Sequence, residues 1–89
     1  MKYEVKLKSS VKKQLRNLDK KQAERILVKI YLLGDDPYPK GVDHLTGQRA
    51  YRIRIGDYRV IYEIHNKQLL VQVIRVGHRK EIYRKSKKD

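Results

Sequence analysis

Three arginines lie close together in a segment whose residues alternate between polar and apolar types. Arg52 and Arg54 precede a Gly-Asp pair, and Arg59 follows it. The guanidinium group keeps its proton and presents a planar fork of donors that fits a phosphate group. The chemistry that this pattern predicts is the binding of a polyanion.

The Gly-Asp pair predicts how these arginines are positioned. A two-residue loop with Gly56 first is typical of a type II′ β-hairpin. That register places Arg54 opposite Arg59, and like charges in facing positions destabilise a hairpin by roughly a few tenths of a kcal/mol. A bound polyanion would relieve that cost. The other side of the hairpin is predicted to face the core through Tyr51, Ile53, Ile55, Tyr58, Val60 and Tyr62.

Two interpretations of the arginine side are open. It is either a solvated polar face, as strands commonly have, or a binding surface. Two observations favour binding: the three polar positions nearest the turn are all arginine, and Ile61 shares their face, with Leu70 and Ile74 expected beside it. A surface that mixes apolar and charged residues is typical of a groove that holds a ligand.

Composition supports a polyanionic partner. The chain of 89 residues carries 23 Lys and Arg against 10 Asp and Glu, a net charge of +13 with a pI near 10.1. Nucleic acid or an acidic protein is the partner that such a surface attracts. Cysteine is absent, no apolar run suits a membrane span, and the N-terminus does not resemble a secretory signal. We therefore expect a cytoplasmic protein with no membrane association, formed by a single domain over residues 1–89.

The segments around the hairpin predict an α+β fold. A short strand at Tyr3–Leu7 precedes two helices within residues 9–33, where Asp19 and Gln22 form a capping-box pattern. Residues 34–49 are predicted to form a loop, and strands follow from residue 50. The predicted order is β-α-α-β-β-β, with a helical hairpin packed on a small antiparallel sheet, a short C-terminal segment and a frayed tail over residues 85–89.

The second hairpin and the remaining polar residues complete these predictions. A two- or four-residue loop near Asn66 would direct three aliphatic residues, Leu69, Val71 and Val73, into the core, whereas a three-residue loop would reverse them. We favour the first arrangement. His44 and His65 are expected at the surface, and no metal site is predicted, because Asp35, Asp36 and Asp43 lack ligand partners at a fixed spacing.

Four segments together resemble the RelE/ParE toxin superfamily, and above all the RelE-type mRNA interferases of toxin–antitoxin pairs. They are Leu45-Thr46-Gly47, Tyr51 to Glu63, Val76-Gly77-His78-Arg79 and Tyr83. The resemblance implies a toxin that cuts mRNA in the ribosomal A site without a metal or other cofactor. In that reaction the 2′-hydroxyl attacks the adjacent phosphate and leaves a cyclic phosphate and a 5′-hydroxyl.

The resemblance also implies site residues. The catalytic set falls on Arg52, Arg54, Arg59, Arg79 and Tyr83, with further RNA contacts at Arg49, His78, Lys80 and Arg84. The phosphate would be held by Arg52 and Arg59, and Tyr83 would stack on the base beside the cut.

One departure from the family concerns the general base. Several relatives carry lysines where Arg52 and Arg54 stand, and arginine is a poor base because it stays protonated. Either another group takes the proton, with His78 as a candidate, or charge stabilisation and substrate alignment carry most of the rate. A contact with phosphate, or a plain surface position at the strand end, is the simpler role for His78.

Two other functions fit parts of the sequence. ParE-type toxins share the fold and poison DNA gyrase without cutting RNA, although they generally lack the basic set and the C-terminal tyrosine. A non-catalytic nucleic-acid-binding domain would explain the charge alone. If the protein is a RelE-type toxin, the expected partners are an acidic antitoxin protein, the ribosome with its mRNA, and operator DNA contacted only through the antitoxin.

Overall fold

The chain folds as two helices packed against one face of a five-stranded sheet. The computed structural model describes residues 2–45, 47 and 49–80. The sheet order is β1-β5-β4-β3-β2, which confirms the α+β class. The elements are β1 (Glu4–Leu7), α1 (Ser9–Arg16), α2 (Lys20–Leu32), β2 (Asp43–His44), β3 (Ala50–Ile55), β4 (Tyr58–His65) and β5 (Leu70–His78), with a short 3-10 turn at Asn66–Gln68.

The sheet is mixed, so the prediction of an antiparallel sheet is corrected at one edge. β1 runs parallel to β5, with Val5 beside Val71 and Leu7 beside Val73. Alternation along β1 specifies which face is apolar, but it carries no information about the direction of the neighbouring strand. A second difference is β2, a two-residue strand that pairs with β3 inside the predicted loop.

The helical hairpin forms as its apolar spacing predicts. Val11 and Leu15 of α1, and Ile26 and Ile30 of α2, are almost completely buried against the sheet. The side chain of Asp19 accepts a hydrogen bond from the backbone N–H of Gln22 at 3.4 Å and so caps the start of α2.

The first β-hairpin has the predicted register. Ile55 pairs with Tyr58, and Arg54 pairs with Arg59. Gly56 has a φ of +61° while Asp57 has a negative φ, which is the combination that a type II′ turn requires. The sequence therefore specified this turn and the faces of both strands.

The second hairpin has a four-residue loop, and Val71 and Val73 are buried as predicted. Leu69 is the exception, because it lies within the loop with φ of +49° and is only partly buried. Further along, the pairing shifts between Ile61 and Tyr62, so that β5 contains a β-bulge at Ile74. The bulge brings Val76 into the core instead of Arg75.

Within the described residues, neither helix is long and apolar enough to span a membrane.

Candidate nucleic-acid interface

The sheet face opposite the helices carries the arginines that the sequence singled out. We call this surface the basic sheet face and define it by Arg52, Arg54, Arg59 and Arg75. Arg54 pairs with Arg59 on one rung, and Arg52 and Arg75 both pair with Ile61 on the next. Facing side chains in a sheet start about 5 Å apart at Cβ. The four arginines are therefore close neighbours on one patch of the sheet.

Arg75 is the member of this face that the sequence analysis missed. Regular alternation from Val71 and Val73 would direct residue 75 into the core. The bulge at Ile74 breaks that alternation and places Arg75 opposite Ile61 on the open face. A signal was present in the sequence, because Val73 and Val76 are three residues apart where an unbroken strand would place apolar residues two apart.

Arg59 has a structural role as well as a place on the basic sheet face. It is only 8% exposed, and its Nη1 donates to the carbonyl oxygens of Gly56 at 3.2 Å and Tyr58 at 3.1 Å. The guanidinium group thus fastens the turn between β3 and β4. Removing it would leave turn carbonyls without their donor, so Arg59 is poorly suited to a test of function alone.

Arg52 is held by an ion pair that the sequence analysis also missed. Asp43 pairs with Arg52 across β2 and β3, and Oδ2 of Asp43 lies 3.2 Å from Nη2 of Arg52. The Nε of Arg52 is buried and has no hydrogen-bond acceptor in the part of the chain that the structure describes. The aspartate therefore orients this arginine and offsets part of its charge.

Arg54 and Arg75 have no carboxylate within ion-pair distance among the described residues, and the same holds for Arg59. Apart from Asp43 and the turn residue Asp57, the acidic residues of this face lie toward the other end of the strands, where Glu63 pairs with Gln72 and Glu4 with Leu70. The positive potential is thus concentrated near the hairpin turn, which suits an anionic ligand.

The segment after β5 adds one more cation at the turn. The backbone N–H of Arg79 donates to the carbonyl oxygen of Asp57 at 2.9 Å. This bond places Arg79 beside the turn that Arg59 fastens, and the side chains of Arg79 and Lys80 are exposed. The predicted contacts of Tyr83 and Arg84 lie outside the described residues.

Two predicted RNA contacts lie elsewhere. His78 pairs with Tyr58 and its ring meets the Tyr58 ring edge-on at 5.6 Å, on the side of the sheet that carries the helices. Its Nδ1 accepts a hydrogen bond from the backbone of Lys80 at 3.3 Å. His78 is therefore not grouped with the arginines, and the geometry does not favour it as their acid or base. Arg49 lies just before β3, at the end of the strand away from the turn, and lines a separate cleft.

The described residues contain no cluster of three or more histidine and acidic side chains able to hold a metal ion. What the basic sheet face can do chemically is bind phosphate oxygens and stabilise negative charge that develops on them.

Comparison with known proteins agrees with this geometry. The sequence model of the family described as the ParE toxin of the type II toxin–antitoxin system parDE matches residues 5–83. A RelE-like toxin protein of Escherichia coli is 26% identical over 81 residues, which cover 89% of this chain and 85% of that protein.

Solved structures show the same fold. A chain of the archaeal RelE–RelB complex from Pyrococcus horikoshii OT3 has a TM-score of 0.79 at 34% identity, covering 89% of this chain and 97% of that one. A chain of the intact RelBE toxin–antitoxin complex of E. coli has a TM-score of 0.74 at 24% identity, covering 85% and 95% of the two chains. From the family match over most of its length and the archaeal relative, the chain belongs to the RelE/ParE superfamily of toxins from type II toxin–antitoxin systems.

Proposed function

We propose that this toxin is a metal-independent endoribonuclease that cuts mRNA in the A site of the ribosome and so stops translation. The observation that carries the proposal is the convergence of Arg52, Arg54, Arg59 and Arg75 on two adjacent rungs of one open sheet face. Three of the four have no carboxylate partner among the described residues.

The reaction needs little covalent chemistry from the protein. The 2′-oxygen attacks the adjacent phosphorus and the bond to the 5′-oxygen breaks, which leaves a cyclic phosphate and a 5′-hydroxyl. Water takes the proton of the 2′-hydroxyl and supplies the one that the 5′-oxygen gains. Negative charge builds up on the phosphoryl oxygens in the transition state, and arginines fixed on a sheet stabilise it without reorganising. Since arginine stays protonated, the rate enhancement rests on charge stabilisation and alignment of the 2′-oxygen.

The roles of individual arginines follow from their surroundings. Arg54 is exposed and would contact the scissile phosphate directly. Arg52 is held by Asp43, and Arg59 is held by the turn carbonyl oxygens. Both would therefore supply fixed positive charge near that phosphate. Arg79 is anchored beside the turn and would stabilise the leaving oxygen. Tyr83 is expected to stack on the base next to the cut; this stays a prediction.

We also propose that an acidic antitoxin neutralises the toxin. Two of the similar structures are complexes of RelE with RelB. A segment that folds on binding would cover Ile61 and pair its acids with the arginines of the basic sheet face. Contact with operator DNA would then occur only through the antitoxin.

The test is an in vitro translation reaction in which mRNA cuts are mapped by primer extension. Wild-type protein should give discrete cuts only when ribosomes are present. Arg54→Gln should reduce cutting by at least about a hundredfold, the cost of losing one transition-state donor. Lys21→Gln removes the same charge from an exposed position of α2 and should leave cutting unchanged.

Inhibition of gyrase is the second candidate, because the matching family is described as the ParE toxin. The two candidate functions are distinguished by the molecule that the toxin attacks. Gyrase-dependent DNA breaks without mRNA cuts would replace the nuclease assignment, and nucleic-acid binding without either activity would leave a passive basic domain.

A further inference from the structure

A cleft of about 650 Å³ lies on the other side of the sheet from the basic sheet face. It opens at the end of the sheet away from the β3–β4 turn, on the side that carries the helices. Its walls come from the loop before β2, the start of β3 and the turn between β4 and β5. The side chains that matter below are Tyr38, His44, Arg49, Tyr51 and Lys67.

Aromatic rings form the platform of this cleft. The rings of His44 and Tyr51 stack with centroids 4.6 Å apart and planes inclined by 17°. Tyr38 meets Tyr51 edge-on at 5.4 Å. Tyrosine is uncharged at neutral pH, and burial, followed by the neighbouring Tyr38, raises the pKa of Tyr51 further. An uncharged aromatic platform is a surface on which a planar ligand can stack.

The platform is held in place before any ligand arrives. His44 pairs with Tyr51 across β2 and β3. The hydroxyl of Tyr38 accepts a hydrogen bond from Nδ2 of Asn66 at 3.3 Å, and Oδ1 of Asn66 accepts one from Tyr3 at 2.6 Å. Tyr38 nevertheless remains 46% exposed. A side chain that is fixed and yet exposed loses little entropy when a ligand covers it.

The charges at the rim are positive. Arg49 and Lys67 are both exposed, and neither forms an ion pair with an acid among the described residues. No aspartate or glutamate is among the described residues that line the cleft. Aromatic rings combined with unopposed cations suit a ligand that is planar at one end and anionic at the other.

We propose that this cleft binds one unpaired nucleotide of RNA, whose base stacks on the exposed ring of Tyr38 and whose phosphate contacts Arg49 and Lys67. The site would be a second RNA contact, separate from the basic sheet face. The inference rests on the proposed function in taking RNA as the ligand, but it requires no cleavage. An unpaired nucleotide is favoured over an acidic peptide because a chain of acidic residues has no planar group to stack on the exposed ring of Tyr38.

Binding is tested by NMR with a five-nucleotide oligoadenylate as the ligand and ribose 5-phosphate as the base-free control. We expect shifts at Tyr38, His44 and Tyr51, and ribose 5-phosphate should produce them only weakly. Tyr38→Leu should weaken oligonucleotide binding about fivefold or more, the loss of one stacked base. Arg49→Gln should weaken it as well and lower the salt slope by about 0.7.

The control variant is Arg54→Gln, which should lose mRNA cutting but keep the shifts in the cleft. That design separates the two proposals. If the wild-type protein binds the oligonucleotide in the cleft but does not cut mRNA, only the proposed nuclease activity is overturned. An unchanged affinity for the oligoadenylate in both Tyr38→Leu and Arg49→Gln would overturn the proposal that the cleft binds a nucleotide. A hexaglutamate peptide that shifts the cleft residues while the oligonucleotide does not would overturn it too.

On ribosomes, cross-linking from position 38 should distinguish the source of the nucleotide. A cross-link to mRNA and a cross-link to ribosomal RNA would each support the site and identify the strand that occupies it. The absence of any RNA cross-link from bound toxin would contradict the proposal.

Discussion

At the scale of single residues, the arginines differ in how tightly the fold holds them. Arg54 is exposed, Arg52 is tied to Asp43, and Arg59 is buried over the turn. The sequence alone ranks them as equals, because each is an arginine on the same face. They differ because Asp43 of β2 binds Arg52 and the turn backbone binds Arg59.

Asp43 is expected to weaken RNA binding, since it competes with phosphate for Arg52. Asp43→Asn should raise the affinity for a short oligoribonucleotide about two- to tenfold, as removal of one partly exposed opposing charge would do. Fluorescence anisotropy measures the effect. Asp35→Asn makes the same change in net charge at an exposed ion pair with Lys2 and should have little effect. A weaker complex for Asp43→Asn would mean that orientation of Arg52 outweighs the relief of its charge.

Tyr62 links the pH dependence of stability to the loop before β2. Its side chain is fully buried, its hydroxyl donates to the Pro37 carbonyl oxygen at 2.7 Å, and burial raises its pKa well above the ordinary tyrosine value of about 10. Because the folded state favours the protonated phenol, this stabilisation is complete below pH 10 and is lost as the pH rises from there toward the folded-state pKa.

Tyr62→Phe should therefore cost about 1–2 kcal/mol in the free energy of unfolding near neutral pH, since the carbonyl loses its donor. Above pH 10 the difference in the free energy of unfolding between Tyr62→Phe and the wild type should become smaller. Urea denaturation at both pH values tests this. The two proteins differ only in this hydroxyl, so a difference in the free energy of unfolding that stayed constant or widened would rule out the role of the phenol.

At the scale of elements, β1 reaches its place beside β5 through a close approach to the end of α2. The N–H of Tyr3 donates to the Gly34 carbonyl oxygen at 2.7 Å, and a Cβ at position 34 would lie 2.8 Å from the Tyr3 carbonyl oxygen. Glycine at this position thus allows β1 to pack against the turn that follows α2. The sequence suggested only that Gly34 ends the helix.

Gly34→Ala should destabilise the fold by about 1–3 kcal/mol, because the clash is with backbone and cannot be relieved by a side-chain rotation. Thermal and urea unfolding give the magnitude, and hydrogen exchange should locate the weakening in β1. Lys21→Ala, at an exposed position of α2, serves as the neutral control. Equal stability of the two variants would show that β1 adjusts without cost.

At the scale of the whole molecule, positive charge is spread over the chain, whereas only one face of the sheet is covered by helices. The net charge is +13. Binding of RNA should depend mainly on phosphate contacts, and binding of an antitoxin on those contacts together with apolar burial. The two partners should consequently differ in their response to salt.

RNA affinity is expected to fall steeply with salt, with a slope near 0.7 for each phosphate contacted on a single strand. The complex with an acidic antitoxin should weaken much less over the same range. Parallel titrations of an oligoribonucleotide and of the antitoxin that co-purifies with the toxin make the comparison. Equal slopes would indicate that the antitoxin is held by charge alone.

The sequence by itself determined the helical hairpin, the type II′ turn and the facing of Arg54 and Arg59, because capping, turn chemistry and alternation are local properties. Only the tertiary structure decided the parallel edge strand, the bulge that exposes Arg75 and the ion pair of Asp43 with Arg52. These depend on which distant segments become neighbours. The cleft at Tyr38 and Tyr51 belongs to the same group, since residues from four parts of the chain form it.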